Sequence, residues 1–424
     1  MFSKIVKLSV LLTFTFLYIG CGGSDNSEDE EFISSIGALS NKAEIVELEF
    51  AYKGSIFSTE IIGSEINITR ELPFGASEFS VNSFKVSNGA TLEFKVGDVL
   101  NLNQAPTAIN VTAEDGTTKK EYQITYSFIT YESIVEKNGG LKVMGNKIVN
   151  KNNQAVSFSG NSFFWSNNGW GGERFYRESV VSWLKLDWET TIVRAAMGVD
   201  ENGGYLEDPV ANKNRLKVIV DAAIKEGMYV IIDWHSHHAE NYTDEAVEFF
   251  KEMAQLYGDY DNVIYEIYNE PLDVSWSNTI KPYAEKVIAA IREYDSDNLI
   301  LVGTPTWSQR VDEAAADPIT SSSNIAYVLH FYSVYHGDWL RGIANNALNL
   351  GVAVFVTEWG PVGYTQDDSE TAKWIQWCED NKISNCSWAV NDKEEEWSIV
   401  KTGSNTSGSW KETNLTESGK LERS

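Results

Sequence analysis

TIVRAAMG (191–198), NKNRLKVIVDAAIKE (212–226), YVIIDW (229–234), DEAVEFFKEMAQLY (244–257) and VIYEIYNEP (263–271) follow one another with little chain between them. The first, third and fifth are short apolar runs, the pattern of strands buried on both faces. The second and fourth place apolar residues three and four apart, the spacing of a helix with one apolar face. Strand, helix and strand in close succession make a parallel pair with a helical crossover. The alternation extends in both directions. Apolar runs at 155–162, 299–303, 325–331, 353–357 and 386–390 supply further strands, and 277–294, 338–350 and 367–380 further helices. Eight strands alternating with helices over residues 155–424 predict an α/β fold, a (β/α)8 TIM barrel. The segment between the fifth and sixth strands is the least helix-like. The tail after Ile399 is polar and short for a closing helix.

Upstream the pattern changes. Residues 32–128 hold alternating runs at 45–50, 56–62, 65–69, 91–96, 108–112 and 121–128. Turn pairs Asn88-Gly89, Gly97-Asp98 and Asp115-Gly116 separate several of them. This predicts a small all-β immunoglobulin-like sandwich. Residues 129–154 read as a connection and a hairpin that turns at Gly145-Asn146.

At the amino terminus, Lys4 and Lys7 precede an apolar run, 8–19, and Gly20-Cys21 is followed by an acidic stretch to Glu31. A basic start, a short apolar middle and a small residue before the break describe an export signal, residues 1–20. The Gly20-Cys21 junction resembles a bacterial lipoprotein site, with residues 21–31 as an acidic tether like those of Bacteroidetes surface lipoproteins. That resemblance implies an exported outer-membrane lipoprotein exposed at the cell surface, touching the membrane only through lipid on Cys21. An ordinary cleaved signal with an incidental cysteine is the plainer alternative. Cys378 and Cys386 remain, eight residues apart; a local disulfide and two buried thiols both stand open.

Composition narrows the partners. With 34 basic against 61 acidic residues the formal charge is −27. Nucleic acid is excluded, because binding it needs clustered Lys and Arg. A chain 42% hydrophobic and 22% charged is neither disordered nor a many-pass membrane protein. All 14 tryptophans lie between Trp165 and Trp410. Residues 32–128 therefore lack tryptophan to stack on sugar rings and read as a spacer rather than a sugar-binding module. A monomer is expected.

Chemistry in a TIM barrel sits at the carboxyl ends of the strands. Those ends carry Arg194, Asp233-Trp234-His235, Asn269-Glu270-Pro271, Trp307, His330-Phe331-Tyr332, Glu358-Trp359-Gly360 and Trp388. Two glutamates, two histidines, an arginine and an asparagine converging on one rim are more than packing requires. Retaining hydrolysis of a glycoside needs two carboxyl groups about 5–5.5 Å apart, one acid/base and one nucleophile.

IVRAAMG (192–198), IIDWH (231–235), YEIYNEP (265–271), LHFYS (329–333), VTEWG (356–360) and WAVNDKEE (388–395) together resemble cellulases of glycoside hydrolase family five, subfamily two. The resemblance covers residues 138–424. It implies an endo-acting, cofactor-free and metal-free retaining cleavage of β-1,4-glucan. Glu270 would be the acid/base and Glu358 the nucleophile, with the charge of Glu358 holding the carboxyl of Glu270 protonated. Arg194 would keep Glu358 ionised and Tyr332 would donate to it. Asn269 matches a residue that binds the sugar 2-hydroxyl. His235 and His330 match residues around the reacting sugar. Trp388 would stack on that sugar; Lys393 and Glu395 would contact an upstream one; Trp307 and Trp165 would be further platforms. Many relatives carry His-Gly after the first strand, where this chain has Ser162-Phe163-Phe164-Trp165. That departure concerns the upstream subsites.

Other readings compete. Glu266, deeper in the fourth strand, reads as an ion-pair partner for Arg194. Trp183, Trp188, Trp374 and Trp377 fall on helical segments and read as packing. His235, His237 and His238 form an H-x-H cluster of the kind that ligates metal in hydrolases, but a metal site leaves the two glutamates unexplained. A glycan-binding lipoprotein on a decayed barrel would lack a catalytic glutamate, and both are present. Mannan, xylan, mixed-linkage glucan and chitosan are alternative substrates, because loop geometry sets that choice.

Overall fold

The computed structural model describes residues 39–52, 55–69, 71–72, 78–101, 108–127, 132–361 and 369–423. The leader, Cys21 and the acidic tether lie outside the described residues. The chain forms two compact units, Met1–Tyr131 and Glu132–Ser424.

In the first unit Ile45–Tyr52 runs antiparallel to both Ser55–Ile62 and Glu78–Val86. Glu65–Ile68 pairs in parallel with Lys119–Thr125. Alternate residues such as Leu48 and Phe50, Ile109 and Val111, and Tyr122 and Ile124 fill one apolar core. Strand Glu78–Val86 is absent from the sequence reading for a physical reason. Its ladder slips between Glu49↔Ser83 and Phe50↔Val81. The apolar positions change parity there, from Phe79 and Val81 to Phe84 and Val86, and a broken period-two pattern hides a strand.

The second unit is a closed barrel of eight parallel strands in sequence order. They are β1 (Ser159–Phe163), β2 (Ile192–Gly198), β3 (Tyr229–His235), β4 (Val263–Glu266), β5 (Ile300–Val302), β6 (Ile325–Tyr332), β7 (Val354–Gly360) and β8 (Asn385–Val390). Helices α1 (Glu178–Trp188), α2 (Pro209–Glu226), α3 (Thr243–Tyr257), α4 (Lys281–Arg292), α5 (Val311–Ala316), α6 (Asp338–Asn349), α7 (Ser369–Asn381) and α8 (Glu417–Arg423) follow the strands in turn. Helix α2 shows why they start and stop where they do. Asp208 caps the amide of Ala211 at 3.1 Å, Pro209 opens the first turn, and Gly227 ends the helix in the left-handed conformation at φ 66°. The two weakest helical signals are α5, of six residues, and α8, of seven.

Strand side chains alternate between two layers. Val193, Val230, Ile232 and Val263 pack outward against the helices. Ile192, Tyr229, Ile231, Ile264, Leu301, Val328 and Phe355 form an inner cluster. Residues 132–154 belong to this unit and cap the amino-terminal end of the barrel. Val135, Leu141 and Ile148 join the inner cluster, and the Tyr229 hydroxyl donates to the Gly139 carbonyl at 2.7 Å. The hairpin pairs Lys142–Met144 with Lys147–Val149 across Gly145-Asn146. With that end closed by apolar packing, polar chemistry is left to the other.

The disulfide alternative fails. Cys378 and Cys386 are both free thiols and both buried. Cys386 faces the inner cluster, whereas Cys378 on α7 packs in the layer outside the strands. Proximity in sequence puts them on opposite sides of the sheet.

Candidate active site

Arg194 on β2 is the centre of the polar layer above the inner cluster and has no solvent exposure. Its Nε and Nη2 donate to Glu266 Oε2 and Oε1 at 2.7 and 3.0 Å. Nη1 reaches Glu358 Oε2 at 3.1 Å and Ser162 Oγ at 3.3 Å. Nη2 also reaches Asn269 Oδ1 at 2.7 Å and Asp233 Oδ2 at 2.9 Å. Burial works against the guanidinium charge, but Asp233, Glu266 and Glu358 outweigh it and hold the group ionised. The fork geometry of arginine suits this many-partnered role. Glu266 is thus the ion-pair partner of Arg194 that its depth in β4 suggested.

A single cation facing so many carboxyls leaves some of them with their protons. Burial pushes Asp233 well above the ordinary carboxyl range, with Arg194 pulling the other way and Glu266, Glu358 and Glu270 adding to the rise. Glu270, 9% exposed, is pushed up to about 7. Burial leads, His237 and Arg194 oppose it, and Glu266 adds to it. The expectation that Glu358 does this work is corrected: loss of water around Glu270 is the larger cause.

Oxygens of Glu270 and Glu358 and a nitrogen of His330 lie within 4.8 Å of one another. Glu358 Oε1 accepts the Tyr332 hydroxyl at 2.5 Å. Its inward aim depends on an irregularity in β7. Phe355 and Thr357 face the barrel interior, so strict alternation would send Glu358 outward. The ladder to β8 slips between Val356 and Trp359, and the ladder to β6 between Val328 and His330. Thr357 and Glu358 consequently both face Arg194 and its partners, while Trp359 turns out against Phe331. Such bulges re-aim side chains beside functional sites.

The histidines are fixed by their neighbours. His330 Nδ1 lies 2.9 Å from Glu270 Oε1, and Nε2 lies 2.8 Å from Thr357 Oγ1. Burial pushes His330 down to about 4, so it is neutral near pH 7. His235 Nδ1 lies 2.7 Å from Asp233 Oδ2, and burial, aided by Arg194, pushes His235 well below its ordinary value. His237 was read only as part of a metal-like cluster, but its Nδ1 lies 3.6 Å from Glu270 Oε2.

Among the described residues the donors that converge as a cation site would are Glu270, His330 and Glu358, not His235, His237 and His238. Their lone pairs are already engaged by one another, by Thr357, by Arg194 and by Tyr332. Glu270 Oε1, both His330 nitrogens and both Glu358 oxygens thus already have hydrogen-bond partners, an arrangement that fits a metal poorly.

The aromatic residues line the same rim. Trp165 meets His235 edge-on at 4.2 Å, and Trp388 lies parallel to His235 at 5.2 Å. Trp388 is only 6% exposed, packed beside Phe164 and followed by a cis peptide to Ala389. Trp397, not singled out in the sequence, packs on Tyr332 at 4.5 Å. Lys393 sits over the Phe164 ring at 4.1 Å, with its Nζ 3.9 Å from Glu395. Trp307 is 46% exposed on the loop after β5. Trp188, Trp374 and Trp377 are buried in the helix layer, as their helical spacing implied.

A scan of protein families matches residues 149–394 to "Cellulase (glycosyl hydrolase family 5)". Among curated proteins, Endoglucanase Z of Dickeya dadantii is 58% identical over 288 residues, 67% of this chain and 65% of its own length. An endoglucanase of Clostridium saccharobutylicum is 42% identical, over 66% of this chain and 63% of that protein. The chain thus spans less than two thirds of either relative. Among solved structures, one from Cytophaga hutchinsonii aligns with TM-score 0.65 at 47% identity, covering 69% of this chain and 95% of that one. The catalytic domain of Thermobifida fusca endoglucanase Cel5A aligns with TM-score 0.64 at 33% identity, covering 69% and 98%.

Proposed function

The chain belongs to glycosyl hydrolase family 5, and from that membership we propose that its barrel unit is an endo-β-1,4-glucanase that retains anomeric configuration. The observation that carries the reading is that one carboxyl oxygen of Glu270 and one of Glu358 lie within 4.8 Å of each other, with no room for a water as well as a sugar carbon between those two atoms. Inversion needs a gap of about 6.5–9.5 Å for a water molecule, whereas direct capture of the sugar needs about 5–5.5 Å.

Glu358 attacks the anomeric carbon, forming a C–O bond as the glycosidic C–O bond breaks. Glu270 gives its proton to the departing oxygen. The glycosyl ester then falls to water, whose proton returns to Glu270 as its oxygen displaces Glu358. Arg194 and Tyr332 hold the two oxygens of Glu358, which orients it and favours its charge. Asn269, whose Oδ1 accepts from Arg194, meets the sugar 2-hydroxyl, with His235, His330 and Trp388 around the ring. Trp165, Lys393 and Glu395 serve upstream sugars and Trp307 the departing end, in the manner of subfamily two. The endoglucanase names of the relatives support a cellulose-like β-glucan. The leader and the Gly20-Cys21 pair support export and lipid anchoring, with the tryptophan-free strand-rich unit as an immunoglobulin-like spacer.

The test is a parallel product profile on carboxymethyl cellulose, lichenan, mannan, xylan and chitosan, with NMR of the first-formed anomer. Internal cuts in cellulosic substrates giving the β-anomer are expected. An α-anomer, or preference for mannan, xylan or chitosan, overturns the reading. Loss of labelled palmitate in Cys21→Ser tests the anchor.

A further inference from the structure

The loop that leaves β5 holds the main strain in the barrel's upper rim. Thr306, Trp307 and Ser308 have φ of 60°, 54° and 56° in succession. These are left-handed conformations that L-residues avoid, and Thr306 is β-branched. Strain of this kind persists where surrounding contacts over-determine it. Here three hydrogen bonds run to one place. The Thr306 amide donates to the Leu272 carbonyl at 3.0 Å and the Trp307 amide to the Pro271 carbonyl at 2.8 Å. The Ser308 hydroxyl donates to the Asn269 carbonyl at 2.7 Å and accepts the Thr304 amide at 3.2 Å. Ser308 and Thr304 are fully buried. Gly303 lets the two loops meet: a Cβ there would lie 2.3 Å from the Tyr268 carbonyl oxygen. Three bonds thus join residues 306–308 to the short stretch 269–272 that carries Glu270 in its middle.

Resting on the retaining-glucanase reading, we propose that Ser308 is a positioning residue for proton delivery: its hydroxyl, held in the left-handed turn, fixes the Asn269 carbonyl and so the direction in which Glu270 presents its acid. The Asn269–Glu270 peptide is the joint between a strand end and a loop. Glu270 has no side-chain bond of its own to the β5 loop, so the backbone is what the turn controls. The same turn carries the exposed Trp307. The ring offered to the departing sugar and the acid offered to its oxygen are therefore set by one rigid piece of chain. Misplacement by about 1 Å is enough to lose roughly 100-fold in a positioned step.

The experiment compares Ser308→Ala and Ser308→Gly with the wild type on phenyl and dinitrophenyl β-cellobiosides. Phenolate leaves only with a proton from Glu270; dinitrophenolate leaves without one. Wild-type turnover of both glycosides with retention tests the underlying reading, and its failure removes the proposal with it. Given that control, both variants should lose about tenfold or more in kcat/KM on the phenyl glycoside, and less than about threefold on the dinitrophenyl one. Equal losses on both substrates would mark a merely structural role and overturn the proposal, as would no loss on either. Recovery in Ser308→Gly relative to Ser308→Ala would place the effect in backbone strain instead of the hydroxyl and also overturn it. If neither Ser308 variant folds, Gly303→Ala, which pushes the same stretch from its other side, should show the same split between leaving groups; an unsplit loss refutes the clamp.

Discussion

Glu270 Oε1 and His330 Nδ1 lie 2.9 Å apart, and the bond has a direction set two residues away. The Thr357 hydroxyl has one proton, and it goes to Glu266 Oε1 at 2.7 Å. Thr357 Oγ1 is therefore an acceptor for His330, which must carry its own proton on Nε2. A neutral His330 then presents a bare Nδ1 to Glu270, and only a protonated Glu270 can donate to it. The network Glu266–Thr357–His330 favours the acid form of Glu270 in the resting site. It acts in the same sense as burial, which raises that carboxyl to about 7.

The first prediction concerns pH. In the proposed mechanism glycosylation needs Glu270 protonated, and its carboxyl is raised, so the proton is fully present at acidic pH and lost as pH rises through about 7. The kcat/KM of an aryl cellobioside should fall on the alkaline side with a midpoint near that value. In Thr357→Val the hydroxyl is gone, and His330 is free to place its proton on Nδ1 and donate to the carboxylate. That favours the charged form, so the alkaline limb should move to lower pH. A limb that stays in place would show that Thr357 does not set the tautomer.

Removing either glutamate should separate the two half-reactions. Glu358→Ala should lower turnover by several orders of magnitude, because the proposed nucleophile is gone. Glu270→Ala should also be slow on cellulosic substrates, yet keep the first step on glycosides with good leaving groups. Azide should then enter the space left by the side chain and attack the glycosyl ester, giving a β-glycosyl azide. Unchanged melting temperatures and the azide product by NMR are the measurements that check this.

Much of this site is legible in the sequence because the barrel rule sends chemistry to strand ends, and strand ends are where apolar runs stop. Glu270, His330, Tyr332 and Glu358 are found that way, and Arg194 as the one charge inside an apolar run. The hidden parts depend on departures from period. The break in alternation that turns Glu358 inward is not visible at its strand end, and Thr357 is unremarkable until that break brings it beside His330 and Glu266. His237 looks like a metal ligand in sequence and faces Glu270 in space. Ser308 has no motif at all; the proposal for it rests on its hydroxyl bond to the Asn269 carbonyl, which only the fold reveals. Glu78–Val86 is hidden by the same cause, a bulge that resets the parity of its apolar residues.

Arg194 is the strongest stability prediction. It is buried among Asp233, Glu266 and Glu358 at 2.7–3.1 Å. Arg194→Met removes the single cation and leaves buried carboxyls facing one another, which typically costs about 3–5 kcal/mol. The variant should melt well below the wild type near neutral pH. The gap should narrow as pH falls, since protonating the carboxyls relieves their repulsion. Circular dichroism melts across pH test this; a gap independent of pH would mean that lost packing, not charge, dominates.

The two thiols give a redox prediction. Cys378 and Cys386 are free, and burial raises both well above the ordinary thiol range. Neither is poised as a thiolate. A reductant should leave the melting temperature unchanged, and iodoacetamide should label both positions only after unfolding. A reductant-sensitive melt would show that the bridge forms after all.

The closing helix carries a pH dependence of opposite sign to the usual carboxylate. The Glu422 carboxyl on α8 is shielded from water, with Oε1 unpartnered among the described groups and Oε2 bonded by Asn161 at 3.1 Å and by Ser387 at 2.5 Å. Burial raises it to about 8, with the Ser387 and Asn161 bonds opposing the rise. An acid whose folded value lies above its unfolded one is held without penalty below the unfolded value of about 4.3. Between there and about 8 the folded state must either keep a proton that the unfolded chain has lost or bury a charge, so stability declines as pH rises, by a few kcal/mol at most. Glu422→Gln keeps the shape and the acceptor for Ser387 without the charge. It should melt like the wild type near pH 4 and increasingly above it from there to pH 8, levelling off beyond. A wild-type advantage at pH 9 would mean that the carboxylate is solvated or paired in solution and that α8 does not hold it buried.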